Sequence, residues 1–227
     1  MKYTITGDNL QFVNIQIEPG EEISAVGGAM RYMTSNVVMD AKMEGGVMKG
    51  LKRMVSGSTL FLAKFHSEGG SGIVGFGGDA PGKIMDLDIS KGTWLVQKSG
   101  FLCSQQGVDL DIAFQKKLGS MFFGGEGLII EKLSGNGIAF IAACGDFNVV
   151  DLKPGEQYKV STGNVVAWEE SVKYDIQSAG NLKTSVFGGE GFFVTTLTGP
   201  GKIVLQSMTL GHLALALAPY MPNNNNS

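Results

Sequence analysis

The tetrapeptide GGEG occurs twice, at 124–127 within FFGGEGLII and at 188–191 within VFGGEGFFV. Each copy sets one carboxylate, Glu126 and Glu190, among glycines beside an apolar run. Two glutamates brought together could divide general acid and general base work between them. Glycine-rich loops also cradle phosphate, but that use needs a helix N-terminus directly after the loop, and a strand-like run follows both copies. Because the glutamates stand in matching phrases, a shared structural role, such as accepting backbone N–H groups, is the competing reading.

The segment GGDAPGKI has the spacing of a P-loop, with Gly77, four residues, then Gly82 and Lys83. The next residue is Ile84, which has no hydroxyl for Mg²⁺, and strand-like alternation follows where a helix is needed. Asp86 with Asp88, and Asp109 with Asp111, are i, i+2 pairs that each share one face of a strand. Hard cations favour such oxygen clusters, and the solvent face of a half-buried sheet gives the same pattern. His66 and His212 have no GxSxG, HExxH or Cys–His context, so nucleophilic or zinc chemistry has little to build on. Cys103 and Cys144 form no CxxC motif and read as buried thiols in a reducing compartment. No cofactor and no resident metal is expected.

The most suggestive stretch is MEGGVMKGLKRMVSGS. Val47, Met48, Leu51, Met54 and Val55 fall at helical spacing, with Lys49, Lys52 and Arg53 on the other side. Such a face could lie on an anionic membrane, dock on a partner protein, or fill a core with methionine.

The elements that must position these residues are strands. LQFVNIQIE puts Leu10, Phe12 and Asn14 on one face and Val13, Ile15 and Ile17 on the other, and KIMDLDI and VDLDIAF alternate likewise. Four of the six prolines precede glycine, at Pro19, Pro81, Pro154 and Pro200, and each pair is a type II turn candidate. Similar strand–turn–strand phrases recur, with turn glycines at Gly20, Gly92 and Gly155. A second set is marked by Gly72, Gly137 and Gly201, spaced 64 or 65 residues apart. An all-β fold is predicted for residues 1–222 as a single domain of three repeats, roughly 1–70, 71–136 and 137–206. Strands can be exchanged between these repeats, as in repeat architectures that share a core. LGHLALALAPY predicts a short closing helix and NNNNS, at 223–227, a disordered tail. The 43% hydrophobic content supports a sizeable core, and a net charge of −3 gives no basic surface for nucleic acid. MKYTITGDNLQF has no apolar h-region and no stretch reaches membrane-spanning length, so a cytoplasmic protein is expected.

GGVMKGLKRMVSGSTLFLAKF, FFGGEGLIIEKLSGNG and the APYMP ending resemble the "altered inheritance of mitochondria" family of mitochondrial biogenesis proteins, with many prokaryotic members of unknown function. The resemblance spans nearly the whole chain. It implies a fold similar to that of the tryptophan RNA-binding attenuation protein, a β-sandwich or short double-stranded β-helix, here three times in one chain with one or two short helices. It implies no catalytic residues, and fold likeness alone carries no RNA or tryptophan binding. The expectation is a non-enzymatic scaffold or binding protein that self-associates, because exposed strand edges need covering. It would engage a membrane or protein partner through 42–55. Alternatives are a small-ligand module with a pocket between β units and a carboxylate- or metal-dependent enzyme.

Overall fold

Val13, Ile15 and Ile17 are fully buried while Phe12 is exposed, so the alternation read in the first apolar stretch decides which face of that strand meets the core. The computed structural model describes residues 1–40, 62–116, 127–178 and 193–221. The expected helix over 47–55, Glu126, Glu190 and the tail at 223–227 lie outside the described residues.

The described chain is all-β. Strands β1 (Lys2–Thr6), β2 (Phe12–Ile17), β3 (Glu22–Val26), β4 (Met30–Met33), β5 (Val37–Asp40), β6 (Leu62–Ser67) and β7 (Gly72–Gly77) come first. Then follow β8 (Ile84–Asp88), β9 (Trp94–Gln97), β10 (Phe101–Gln105), β11 (Val108–Lys116), β12 (Leu128–Gly135) and β13 (Ile138–Ala142). The last are β14 (Phe147–Leu152), β15 (Gln157–Ser161), β16 (Val165–Glu169), β17 (Lys173–Ser178), β18 (Phe193–Thr198) and β19 (Gly201–Gln206).

One set of antiparallel pairings occurs in three consecutive stretches. In the first, β7 lies between β2 and β4, and β6 between β3 and β5. In the second, β13 lies between β8 and β10, and β12 between β9 and β11. In the third, β19 lies between β14 and β16, and β18 between β15 and β17. A register shift falls at the same place each time, in β4, β10 and β16. Such a bulge bends the strand and increases its twist.

Two more pairings join the stretches, β3 with β10 and β9 with β16. They create two six-stranded sheets, β5-β6-β3-β10-β13-β8 and β11-β12-β9-β16-β19-β14. Two partial sheets remain, β1-β2-β7-β4 and β15-β18-β17. Cores form where successive sheets face each other. Phe76 on β7 meets Phe65 on β6 edge to face across the first such layer, with ring centroids 5.1 Å apart. Contacts of this type add about 0.5–1.5 kcal/mol beyond the area they bury.

Two of the four Pro–Gly turns form as expected. Glu21 N–H donates to Glu18 O (2.9 Å) and Glu156 N–H to Lys153 O (3.0 Å), with Gly20 and Gly155 at φ 89° and 78°. The other two differ because their glycines serve close approach. Gly82 bridges Leu10 and Gly145, and a Cβ there would strike Ala143 O. Gly201 opens β19 after a cis Gly199–Pro200 peptide. The closing helix, α1, spans Leu210–Leu217, and Thr209 Oγ1 caps it by accepting from His212 N–H at 3.1 Å.

Candidate functional site

A groove of about 600 Å³ opens where the second and third stretches meet. Its floor is apolar and belongs to the core beneath it, with Leu87, Trp94 and Val204 all buried. Its walls are charged. Asp86 and Asp88 come from β8, Lys91 from the 3₁₀ turn after it, Glu169 from the end of β16 and Glu170 from the turn that follows, and Lys202 from β19. The aspartate pair noted in the sequence is thus brought to a junction.

Local hydrogen bonding accounts for most of these carboxylates. Asp88 caps the 3₁₀ turn, accepting from Ser90 N–H (3.2 Å) and the Ser90 hydroxyl, and pairs with Lys91 Nζ at 2.9 Å. The Ser90 hydroxyl, and after it Lys91, holds the Asp88 carboxyl below the ordinary carboxylate value, and Asp88 raises Lys91 in return. Asp86 lies beside Tyr3, whose phenol is pushed up by burial first and then by the Asp86 charge. Glu169 Oε2 accepts from Lys202 N–H at 2.9 Å. Glu170 pairs with Lys132 at 2.7 Å, and Lys202 Nζ reaches Asp151 at 3.4 Å. Asp88, Glu169 and Glu170 thus each already have a donor from the protein. No cluster of three or more His, Cys, Asp or Glu arranged for a metal occurs among the described residues.

The other sequence candidates separate. Asp109 and Asp111 both lie on the exposed face of β11. Three N–H groups of the P-loop-like segment, at its start and end, are spent on the protein itself. Gly77 N–H donates to Ala29 O (3.0 Å), Lys83 N–H to Gly145 O (3.0 Å), and Ile84 N–H to Gln11 Oε1 (2.7 Å). That segment is a strand junction, followed by β8 instead of the helix N-terminus a P-loop needs. Cys103 and Cys144 are free and buried, and burial raises both thiols above their ordinary value, which keeps them in the unreactive protonated form. His66 sits 3.9 Å from Asp40 and 4.0 Å from Glu68, within reach of neither for a hydrogen bond.

The residue most at odds with its surroundings is one the sequence reading passed over. Glu131 on β12 is fully buried, and neither carboxylate oxygen has a hydrogen-bond partner among the described residues. Burial pushes it up to about 8, against the lowering influence of Lys98. The signal was the uninterrupted LII before it, the mark of a strand buried on both faces.

The profile of the family described as mitochondrial biogenesis AIM24 matches residues 3–208. The chain belongs to that family. An uncharacterized protein of Streptococcus pyogenes serotype M6 is 29% identical over 236 residues, spanning 100% of this chain and 93% of its own length. The crystal structure of protein SPYM3_0169 from Streptococcus pyogenes matches with a TM-score of 0.82 and 27% identity, covering 97% of this chain and 99% of that one. The AIM24-family resemblance read from the sequence therefore holds across almost the whole chain, in company with bacterial relatives. In this AIM24-family protein the groove is a charged seam where the second and third stretches meet, its carboxylates outnumbering its lysines.

Proposed function

We propose that this AIM24-family protein is a non-enzymatic scaffold that presents binding surfaces on a β framework of three repeated units. The observation that carries the reading is α1 with its continuation to Met221. No residue of this helix is buried, and Leu215, Leu217 and Tyr220 are 57%, 50% and 85% exposed. Exposed leucines on a capped helix are suited to an interfacial or protein contact. The state of the groove also supports the reading, because carboxylates already paired with lysine or N–H groups are poor acids, bases and metal ligands. The amphipathic pattern at 47–54 supplies a second candidate surface, and two buried thiols accord with a cytoplasmic location. Free strand edges favour a homo-oligomer.

The test is co-sedimentation with liposomes of rising phosphatidylserine content. It compares wild type with Met48→Glu/Leu51→Glu and with Leu215→Glu/Leu217→Glu, each checked for fold by circular dichroism. Binding that rises with anionic lipid and is lost in a folded variant supports a peripheral membrane scaffold. Equal sedimentation of all three proteins with no lipid dependence sinks the membrane form and leaves a protein partner. A second reading, a small-ligand module, rests on the apolar floor of the groove. Thermal stabilisation by apolar carboxylate-free ligands, abolished by Val204→Asp, would support it.

A further inference from the structure

The chain ends its series of sheets with two unlike edges, and they match each other. At both internal junctions the same pairing forms. In one, Cys103 and Ser104 of β10 lie opposite Ala25 and Ser24 of β3. In the other, Ala167 and Trp168 of β16 lie opposite Val96 and Leu95 of β9. Among the described residues, the first member of the β4/β10/β16 series and the last member of the β3/β9/β15 series have no such partner, for β4 and β15 each end a partial sheet. The outer strands β5, β11 and β17 are edges in every stretch, so their exposure is part of the design of the unit. Among the described residues β8 and β14 also end their sheets where their counterpart β2 pairs with β1, but only β4 and β15 lack a pairing that both of their counterparts have.

Exposure follows this rule. The bulge aligns Tyr32 with Cys103 and Ala167, and Met33 with Ser104 and Trp168. Cys103, Ala167 and Trp168 are 0% exposed, whereas Tyr32 is 46% and Met33 38% exposed. On the other edge, pairing with β18 aligns Tyr158 with Trp94, and Tyr158 is exposed where Trp94 is buried. Three large apolar side chains are left in water at positions whose counterparts are core.

We propose that a second copy of this chain covers these edges, with β15 of one copy pairing antiparallel to β4 of the next in the internal register, Tyr32 opposite Val160 and Met33 opposite Lys159. The joint completes a continuous sheet, β1-β2-β7-β4-β15-β18-β17, across the two copies. The contact is heterologous, so it builds a ring or a filament instead of a two-fold dimer. Lys159 is the kind of residue that keeps an edge from pairing indiscriminately. Opposite Met33 it meets no cation, and its aliphatic stem can lie along the thioether. The proposal gives the assembly mode of the scaffold proposed above and rests on that reading.

The native mass of the full chain, by sedimentation velocity from 1 to 100 μM (chosen to span roughly the affinities of transient and stable contacts), tests it. Wild type is expected at multiples of the 24.0 kDa chain. Met33→Lys, which sets a like charge against Lys159, is expected to fall to the single-chain mass, and Met33→Lys/Lys159→Glu to recover the assembly. A wild type that stays at single-chain mass overturns the proposal, as does a Met33→Lys protein of unchanged mass or a double variant that stays dissociated. Amide hydrogen exchange needs no variant. Protection at Met30–Met33 and Gln157–Ser161 should grow with protein concentration while β11 stays unchanged, and concentration-independent exchange at both edges refutes the contact. A single-chain protein that still binds liposomes refutes the assembly alone, and an assembly that binds neither lipid nor protein refutes the scaffold reading alone.

Discussion

Glu131 shows what one side chain can do to the pH behaviour of this fold. An acid whose pKa is raised from 4.5 to about 8 keeps its proton in the folded state, while the unfolded chain gives it up above pH 4.5. Folded protein then binds more protons than unfolded across that window, so stability falls as pH rises from 4.5 to about 8 and levels off beyond. The slope is about 1.4 kcal/mol per pH unit, a loss of order a few kcal/mol over the window. Glu131→Gln keeps the shape and removes the ionisable group. Urea unfolding at pH 4.5 and pH 8 should therefore show little change at the lower pH and a variant more stable than wild type at the higher. A wild-type curve that is flat with pH would mean that a partner holds Glu131 ionised.

At the scale of elements, the strands were legible because their faces are chemically distinct. Val13, Ile15 and Ile17 against Phe12 is a period-2 signal that survives into the structure. The Pro–Gly turns were half legible. A turn needs only positive φ at its third residue, and Gly20 and Gly155 provide it. Pro81–Gly82 and Pro200–Gly201 carry the same letters for a different reason, close approach of backbone at Gly82 and of side chains at Gly201, which only tertiary structure creates. The two uses predict different costs. At Gly155 an added Cβ meets nothing within 4 Å, so Gly155→Ala should cost only the left-handed backbone penalty, about 1–2 kcal/mol. Gly82→Ala must push Ala143 away and break the bridges to Leu10 and Gly145, so its midpoint in thermal unfolding should fall several times further. Equal losses would mean that the junction at Gly82 is soft. The groove was only partly legible. Asp86 and Asp88 stand two apart on one strand, but Tyr3 comes beside them, and Glu169 and Lys202 into the same groove, from distant parts of the chain. Glu131 was missed because a glutamate in a strand usually marks the solvent face, and β12 is covered on both.

For the whole molecule, the decisive feature is that the stretches share sheets. Each six-stranded sheet takes half its strands from one stretch and half from the next, so unfolding one stretch exposes a full sheet edge of its neighbour. In many repeat arrays neighbours touch through side chains alone and unfolding can spread unit by unit. Here the junctions are backbone ladders backed by buried cores that also cross the boundary, since Ala167 and Val204 pack with Trp94 and Leu133. Separate unfolding should therefore be suppressed, and the chain should melt as one cooperative unit. The protein carries two tryptophans, Trp94 in β9 and Trp168 in β16, the latter stacked on Tyr174 with centroids 4.2 Å apart. Trp168→Phe leaves Trp94 as the only indole to report on the middle stretch, and Trp94→Phe leaves Trp168 to report on the last. In each variant the urea midpoint by tryptophan fluorescence should coincide with its midpoint by far-ultraviolet circular dichroism, however much either substitution destabilises the protein. If the Trp94 reporter leads or lags the global transition, the shared sheets do not couple the stretches. The junction pairings would then be weaker than those within a stretch, and a copy-to-copy joint built in the same register would be correspondingly weak.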